Sequence, residues 1–125
     1  MYRLSLQRDF EARHFLIGGD WGAENQAHAH PYRIEWILEG STLDKHGYLV
    51  DLTEIETHLE ATLRSYRGVL LNDLPEFAGL NPSLENFARI LAGRLGTALA
   101  EGRLAAHVVR LWESDAAWAS FRQEL

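Results

Sequence analysis

The sequence has no cysteine among its 125 residues. That excludes a disulfide framework, a thiolate zinc site and a cysteine nucleophile. Positive charge is also short. Twelve Lys and Arg stand against eighteen Asp and Glu, for a net charge of −6, and no basic run is present. Neutralising nucleic-acid phosphates takes clustered cations, so no nucleic-acid partner is expected. No apolar run approaches the ~18 residues of a membrane span, so no membrane association is expected. The start, Met1 to Leu6, alternates in polarity and lacks the apolar core of a signal peptide, which makes the expected location cytoplasmic. Linkers, repeats and low-complexity tracts are absent as well. A chain of this length reads as one domain over residues 1–125, able to bury about two-thirds of its unfolded surface without staples.

What is present is strong patterning. Tyr2, Leu4, Leu6, Phe10, Ala12 and His14 occupy even positions, the alternation of a strand with one buried face. Gly18, Gly19 and Gly22 mark a loop from Gly18 to Ala27. A second strand runs from about His28 to Glu39. Leu52, Ile55, Leu59, Leu63 and Tyr66 recur at helical spacing. A second helix follows Pro82, with Ser83 as N-cap, Glu85 in the first turn and Gly102 as stop signal. Strands return at Ala105 to Glu113 and Ala117 to Gln123. The order β-β-α-α-β-β predicts an α+β fold, a four-stranded antiparallel sheet with both helices on one face. The other face is expected to carry Phe10, Ile34, Trp36 or their neighbours, and so to need cover from another copy of the chain.

Three histidines belong together. His28 and His30 lie two apart on a strand, so their rings leave the same face. An antiparallel partner strand ending at His14 brings a third ring to them. Three neutral imidazoles with an open fourth position form the zinc arrangement used in catalysis. An H-x-H pair also occurs as hydrogen-bonded core histidines, so the spacing leaves both readings open. His58 reads as a solvated helix residue and His46 as a turn residue; His107 is undecided.

Several segments, in order, resemble the 6-pyruvoyltetrahydropterin synthase and 6-carboxytetrahydropterin synthase family. Phe10-Glu11-Ala12-Arg13-His14 resembles F-x-A-x-H, and His28-Ala29-His30-Pro31-Tyr32 resembles H-G-H-N-Y. Gly47 to Leu52 resembles G-x-v-x-D-F, Leu71-Asn72-Asp73 resembles L-N-D, and Asn81 to Asn86 resembles N-P-T-x-E-N. Trp112-Glu113-Ser114 resembles v-x-E-T. The resemblance implies the tunnelling fold, with the two helices inserted between strands two and three. It implies trimers that close the sheets into a barrel and stack as hexamers, with active sites between subunits. It implies zinc on His14, His28 and His30, and Glu113 as anchor of a pterin ring. A carboxylate suits that task because it accepts two parallel N–H bonds. Ser83 stands where the family has Thr near the ring.

The sequence departs from the family at three places. The catalytic Cys of common members is here Glu24. A branch of the family with Glu at this place is associated with cleaving the side chain of dihydroneopterin triphosphate to a 6-hydroxymethyl pterin. There Glu24 is a candidate general base, with zinc polarising neighbouring oxygens; its other reading is a solvated residue of a mobile loop. The family's Asp-His pair falls on Arg67 and Gly68. Arg67 then either binds an anionic substrate group or is a surface cation at a helix end. Pro31 replaces Asn beside the histidines. The expectation is a zinc-dependent lyase acting on a dihydropterin side chain. The alternatives are a zinc- or pterin-binding protein without catalysis and a family enzyme with a non-pterin substrate.

Overall fold

The computed structural model describes residues 1–99 and 102–125. Strands β1 (Tyr2–His14) and β2 (His28–Gly40) form a long hairpin, followed by helices α1 (Leu52–Arg64) and α2 (Leu84–Thr97) and strands β3 (Ala106–Ser114) and β4 (Ala117–Glu124). The sheet is antiparallel throughout, in the order β1-β2-β3-β4. This is the tunnelling fold with its helices between the second and third strands. Short 3₁₀ turns at Gly22–Asn25, Leu71–Asp73 and Pro75–Phe77 have no apolar period and are not legible as elements in the sequence. The second helix stops at Thr97, ahead of Gly102.

Local signals set the helices. The Asp51 side chain caps α1 by accepting from Thr53 N, and Ser83 Oγ caps α2 by accepting from Asn86 N. Both helices carry Glu in the first turn and Arg in the last, which suits the helix dipole. The apolar stripes face the even-numbered side of the hairpin. Phe87 of α2, fully buried, meets the rings of Phe10, Tyr32, Tyr66 and Phe77 at centroid distances of 5.9, 5.2, 5.4 and 5.6 Å. Truncating such a ring costs about 3–5 kcal/mol. Phe87 matters to the site because Tyr32, which it packs, in turn holds His14.

Phe10, Ile34 and Trp36 lie under the helices, all buried, and not on the open face. Their even-numbered alternation assigns them to the covered side. The open side carries polar residues knitted across the strands, from odd positions of β1 and β2 and even positions of β3 and β4. Glu39 is 4% exposed, with Arg3 Nε 2.8 Å from one carboxylate oxygen and Arg122 Nε 3.1 Å from the other. Glu35 accepts from Ser5 Oγ at 2.8 Å and pairs with Arg110 at 3.3 Å. The Arg110 guanidinium sits 4.3 Å from the Trp118 ring centroid. The same face also carries Ile37, Val108, Trp112 and Trp118, the last 50% exposed, so apolar neighbours of Trp36 do lie on it among the ion pairs.

Along the edge of β1, residues 68–70 run beside Glu11 and Arg13. Gly68 N–H donates to Glu11 O at 2.8 Å and Arg13 N–H to Val69 O at 2.9 Å. Gly68 has φ 70°, a conformation that L side chains rarely adopt. This is where the resemblance expects His. The backbone of this chain is shaped for glycine there.

Candidate metal centre and cleft

The hairpin register decides the site. His14 of β1 pairs directly with His28 of β2, and His30 lies opposite Ala12. The inter-ring distances are 4.6 Å for His14 and His28, 5.2 Å for His14 and His30, and 6.1 Å for His28 and His30. All three rings thus gather at one end of the sheet. The tightest donor set is His14, Glu24 and His28, whose ligand atoms lie within 4.8 Å of one another. The His30 ring stands beside this set, with Nε2 3.9 Å from a Glu113 oxygen.

Hydrogen bonds assign the free ring nitrogens. His28 Nδ1 lies 2.8 Å from Gln26 O and His30 Nδ1 3.0 Å from Pro31 O. A carbonyl accepts only, so each Nδ1 carries a proton, and in the neutral ring Nε2 is the nitrogen with the lone pair. His14 Nδ1 lies 2.7 Å from Tyr32 Oη. Burial, with His28 and His30 nearby, pushes the His14 pKa down to about 4, so the ring is neutral at pH 7. Burial, followed by Glu113 and Glu24, holds the Tyr32 hydroxyl in its protonated form well above the usual range. Outer partners that orient ligand imidazoles in this way are a normal part of a metal site. His28 Nε2 is buried without a hydrogen-bond partner. Leaving such an atom unpaired is costly, and a divalent cation would satisfy it. The donor set, imidazole nitrogens with a carboxylate, fits zinc.

Asparagines tie the loop between the strands, which argues against the mobile-loop reading of Glu24. Asn25 accepts from Trp21 N at 2.7 Å and donates to Leu16 O and Gly19 O, both at 3.0 Å. Leu16 N–H donates to Glu24 O at 2.8 Å, which fixes the Glu24 backbone beside the end of β1. Asn72 binds both backbone groups of Phe15 at 2.9 Å, as a neighbouring strand would. Asn81 Oδ1 accepts from Ile17 N at 2.8 Å. Asn25 and Tyr32 went unread as site residues. The local signal for Asn25 is its place at the end of a glycine-rich loop, where Asn side chains bond nearby backbone.

His14 and His30 open into a cleft of about 760 Å³ lined also by Trp21, Glu24, Ser83 and Glu113 among others. Glu113 sits in a β-bulge: Trp112 pairs with Trp118, but Ser114 pairs with Ala117. Bulges commonly re-aim a side chain beside a functional site. The Ser83 hydroxyl oxygen accepts from the α2 N-terminus at 3.2 Å, leaving its proton free. Arg67 does not join this group. Its guanidinium holds Glu60 at 2.8 and 3.3 Å, and it does not line the cleft. Of its two readings, the structure favours a surface cation at a helix end.

A four-stranded sheet with two inserted helices, and three histidines meeting where its first two strands end, defines the class of pterin-related tunnelling-fold proteins. The family model described as 6-pyruvoyl tetrahydropterin synthase matches residues 3–124, and the chain belongs to that family. The sequence matches no curated protein. Among solved structures, the Caenorhabditis elegans 6-pyruvoyl tetrahydropterin synthase aligns with TM-score 0.80 at 19% identity, over 99% of this chain and 98% of that one. A Plasmodium vivax 6-pyruvoyltetrahydropterin synthase aligns with TM-score 0.82 at 15% identity over 99% and 98%; it is a variant in which a glutamate described as a catalytic residue is replaced by alanine. The Plasmodium falciparum enzyme aligns with TM-score 0.79 at 14% identity over the same shares, 99% and 98%. At these identities the structural likeness speaks for the fold. Among the described residues no helix is long and apolar enough to cross a membrane.

Proposed function

We propose that this protein is a zinc-dependent lyase that cleaves the side chain of a dihydropterin such as dihydroneopterin triphosphate. The observation that carries the reading is the placement of Glu24 and the three histidines at one end of a cleft that also presents Glu113. The Plasmodium vivax relative, in which a glutamate is the catalytic residue, supports giving Glu24 the chemical role. His14, His28 and His30 would hold zinc, which when bound supplies Lewis-acid polarisation of side-chain oxygens.

The chain's own residues do the rest. Glu113 accepts paired N–H bonds from the amino group and ring nitrogen of the heterocycle, fixing its orientation. Ser83 adds a hydroxyl proton to the same wall. Glu24 takes the proton of a side-chain hydroxyl. That carbon becomes a carbonyl as its bond to the ring-proximal carbon breaks. The electron pair passes into the ring C=N, and reprotonation leaves a 6-hydroxymethyl pterin. Tyr32 keeps His14 oriented. Arg67 has no part. We also propose that the chain assembles as trimers or hexamers through its sheet edges, since β4 and most of β1 present unpaired backbone groups.

Metal-loaded wild type and Glu24→Gln, each incubated with dihydroneopterin triphosphate and with sepiapterin, test the lyase reading by product chromatography. Turnover of a pterin that is lost in Glu24→Gln supports it; no wild-type turnover of either compound overturns it. Gly68 favours a second reading, a pterin-binding protein without catalysis, because the Asp-His pair is missing and φ 70° is one that L side chains rarely adopt. Tight pterin binding without chemistry is its signature.

A further inference from the structure

The contact between Glu24 and His28 is close but unaligned. Glu24 Oε2 lies 3.0 Å from His28 Nε2, as close as many ion pairs. Yet His28 Nε2 makes no hydrogen bond. The oxygen therefore lies off the axis along which the ring nitrogen directs its proton or lone pair. A protonated His28 pairing with Glu24 would align its N–H with that oxygen. A neutral His28 has its proton on Nδ1, facing Gln26 O at 2.8 Å, and offers Nε2 only as a lone pair. A lone pair and a carboxylate oxygen have nothing to exchange with each other. They are both hydrogen-bond acceptors and electron-pair donors, side by side, and the electrostatics of that arrangement are unfavourable unless a cation sits between them and His14.

From this we infer that Glu24 is a protein ligand of the metal, closing the coordination shell while no substrate is bound. The inference rests on the metal-site reading above and changes what Glu24 does at rest. Two donors on one tetrahedral zinc stand about 3.3 Å apart, close to the separation found here. Glu24, His14 and His28 form the one compact donor set among the described residues. The Glu24 side chain is 53% exposed, yet its backbone is fixed by Leu16 N–H at 2.8 Å and by the Asn25 ties, so the carboxylate is delivered from a held position. One carboxylate against a dication also leaves the site with a single positive charge, less attractive to stray anions than a three-histidine site. Glu113 serves as the internal contrast. It lies 3.9 Å from His30 Nε2 on a bulged strand, outside the compact set and free to meet a heterocycle. A carboxylate that closes the site at rest lies within reach of whatever molecule replaces it, which is where a base is needed.

Cobalt(II) provides a readout independent of turnover. Wild type, Glu24→Gln, Glu24→Ala and Glu113→Gln are loaded with cobalt(II), affinities are measured by chelator competition, and visible spectra are recorded with and without azide. The expected result is a loss of more than about tenfold in affinity for both Glu24 variants, the scale that even outer partners of a metal site reach. Azide should alter the spectra of the Glu24 variants and leave those of wild type and Glu113→Gln unchanged. If Glu24→Gln and Glu24→Ala keep wild-type affinity and spectrum, Glu24 is not a ligand and the three-histidine site stands without it. If wild type binds neither cobalt nor zinc, the metal reading falls and takes this inference with it. Far-UV circular dichroism of the variants separates these outcomes from misfolding.

Discussion

His14 and His107 are both buried, both face the helices, and lie at opposite ends of the same sheet, yet their surroundings differ in kind. His107 is satisfied on both nitrogens. Trp36 Nε1–H donates to its Nδ1 at 2.9 Å, so its Nε2 carries the proton and donates to Gln123 Oε1 at 2.7 Å. At the other end His14 has one nitrogen engaged by Tyr32, and neighbouring His28 has a buried Nε2 with no partner. Burial pushes the pKa of both His14 and His107 down, so that shift does not tell them apart. The account of hydrogen bonds does. A buried histidine with both nitrogens paired is part of the core; one beside a buried, unpaired nitrogen is a candidate for holding a ligand.

The comparison can be broken most sharply at the metal end. His14→Ala and His28→Ala should abolish tight zinc binding, read by metal analysis after dialysis. The wild type should gain thermal stability on zinc addition and these variants none; at a thousandfold excess over Kd the linkage is about 4 kcal/mol. His107→Gln should leave zinc binding intact. At the core end, Trp36→Phe removes the donor to His107 Nδ1 and leaves a gap in a fully buried site. It should cost roughly 2–4 kcal/mol in urea denaturation with no change in metal affinity.

A smaller effect is expected with pH. Burial lowers the His107 pKa below its ordinary 6.5, with the Gln123 hydrogen bond acting weakly the other way. Below pH 6.5 the unfolded chain binds a proton that the folded chain refuses. The stability due to neutral His107 is thus complete above that pH and drains away as pH falls toward the folded pKa. Urea midpoints between pH 7.5 and 5 should decline less steeply in His107→Gln than in wild type, both metal-free. Least of all, Arg67→Ala should change stability by under about 1 kcal/mol and leave metal and pterin binding unchanged, since an exposed ion pair to Glu60 is all it removes.

Much of this was open to reading from the residues. Alternation fixed on His14, His28 and His30 put all three on the covered face, and antiparallel pairing put them at one end. The same alternation, followed through, assigns Phe10, Ile34 and Trp36 to that face too. The open-side expectation failed at those three residues because it set the parity rule aside there, although their neighbour Ile37 does lie on the open side with Val108, Trp112 and Trp118. Other features were hidden for physical reasons. Arg67 lies next to a motif in sequence, but its partner Glu60 stands seven residues back on α1, about two turns away, a relation no linear spacing near Leu71 displays. The bulge at Glu113 is a slip of one residue between two strands, and neither strand announces it alone. Asn25, Asn72 and Asn81 act on backbone atoms far away in the chain or within a turn, so side-chain periodicity carries no trace of them.

The direct pairing of His14 with His28 has a consequence for how the chain matures. Neighbouring residues of a strand point to opposite sides, so a hairpin assembled one residue out of step would turn His28 and His30 toward the charged side and leave His14 by itself. A hairpin one residue out of step cannot present the imidazoles together. Ion uptake would therefore serve as a proofreader of strand alignment, disfavouring the one-residue slips that the long hairpin could otherwise sample.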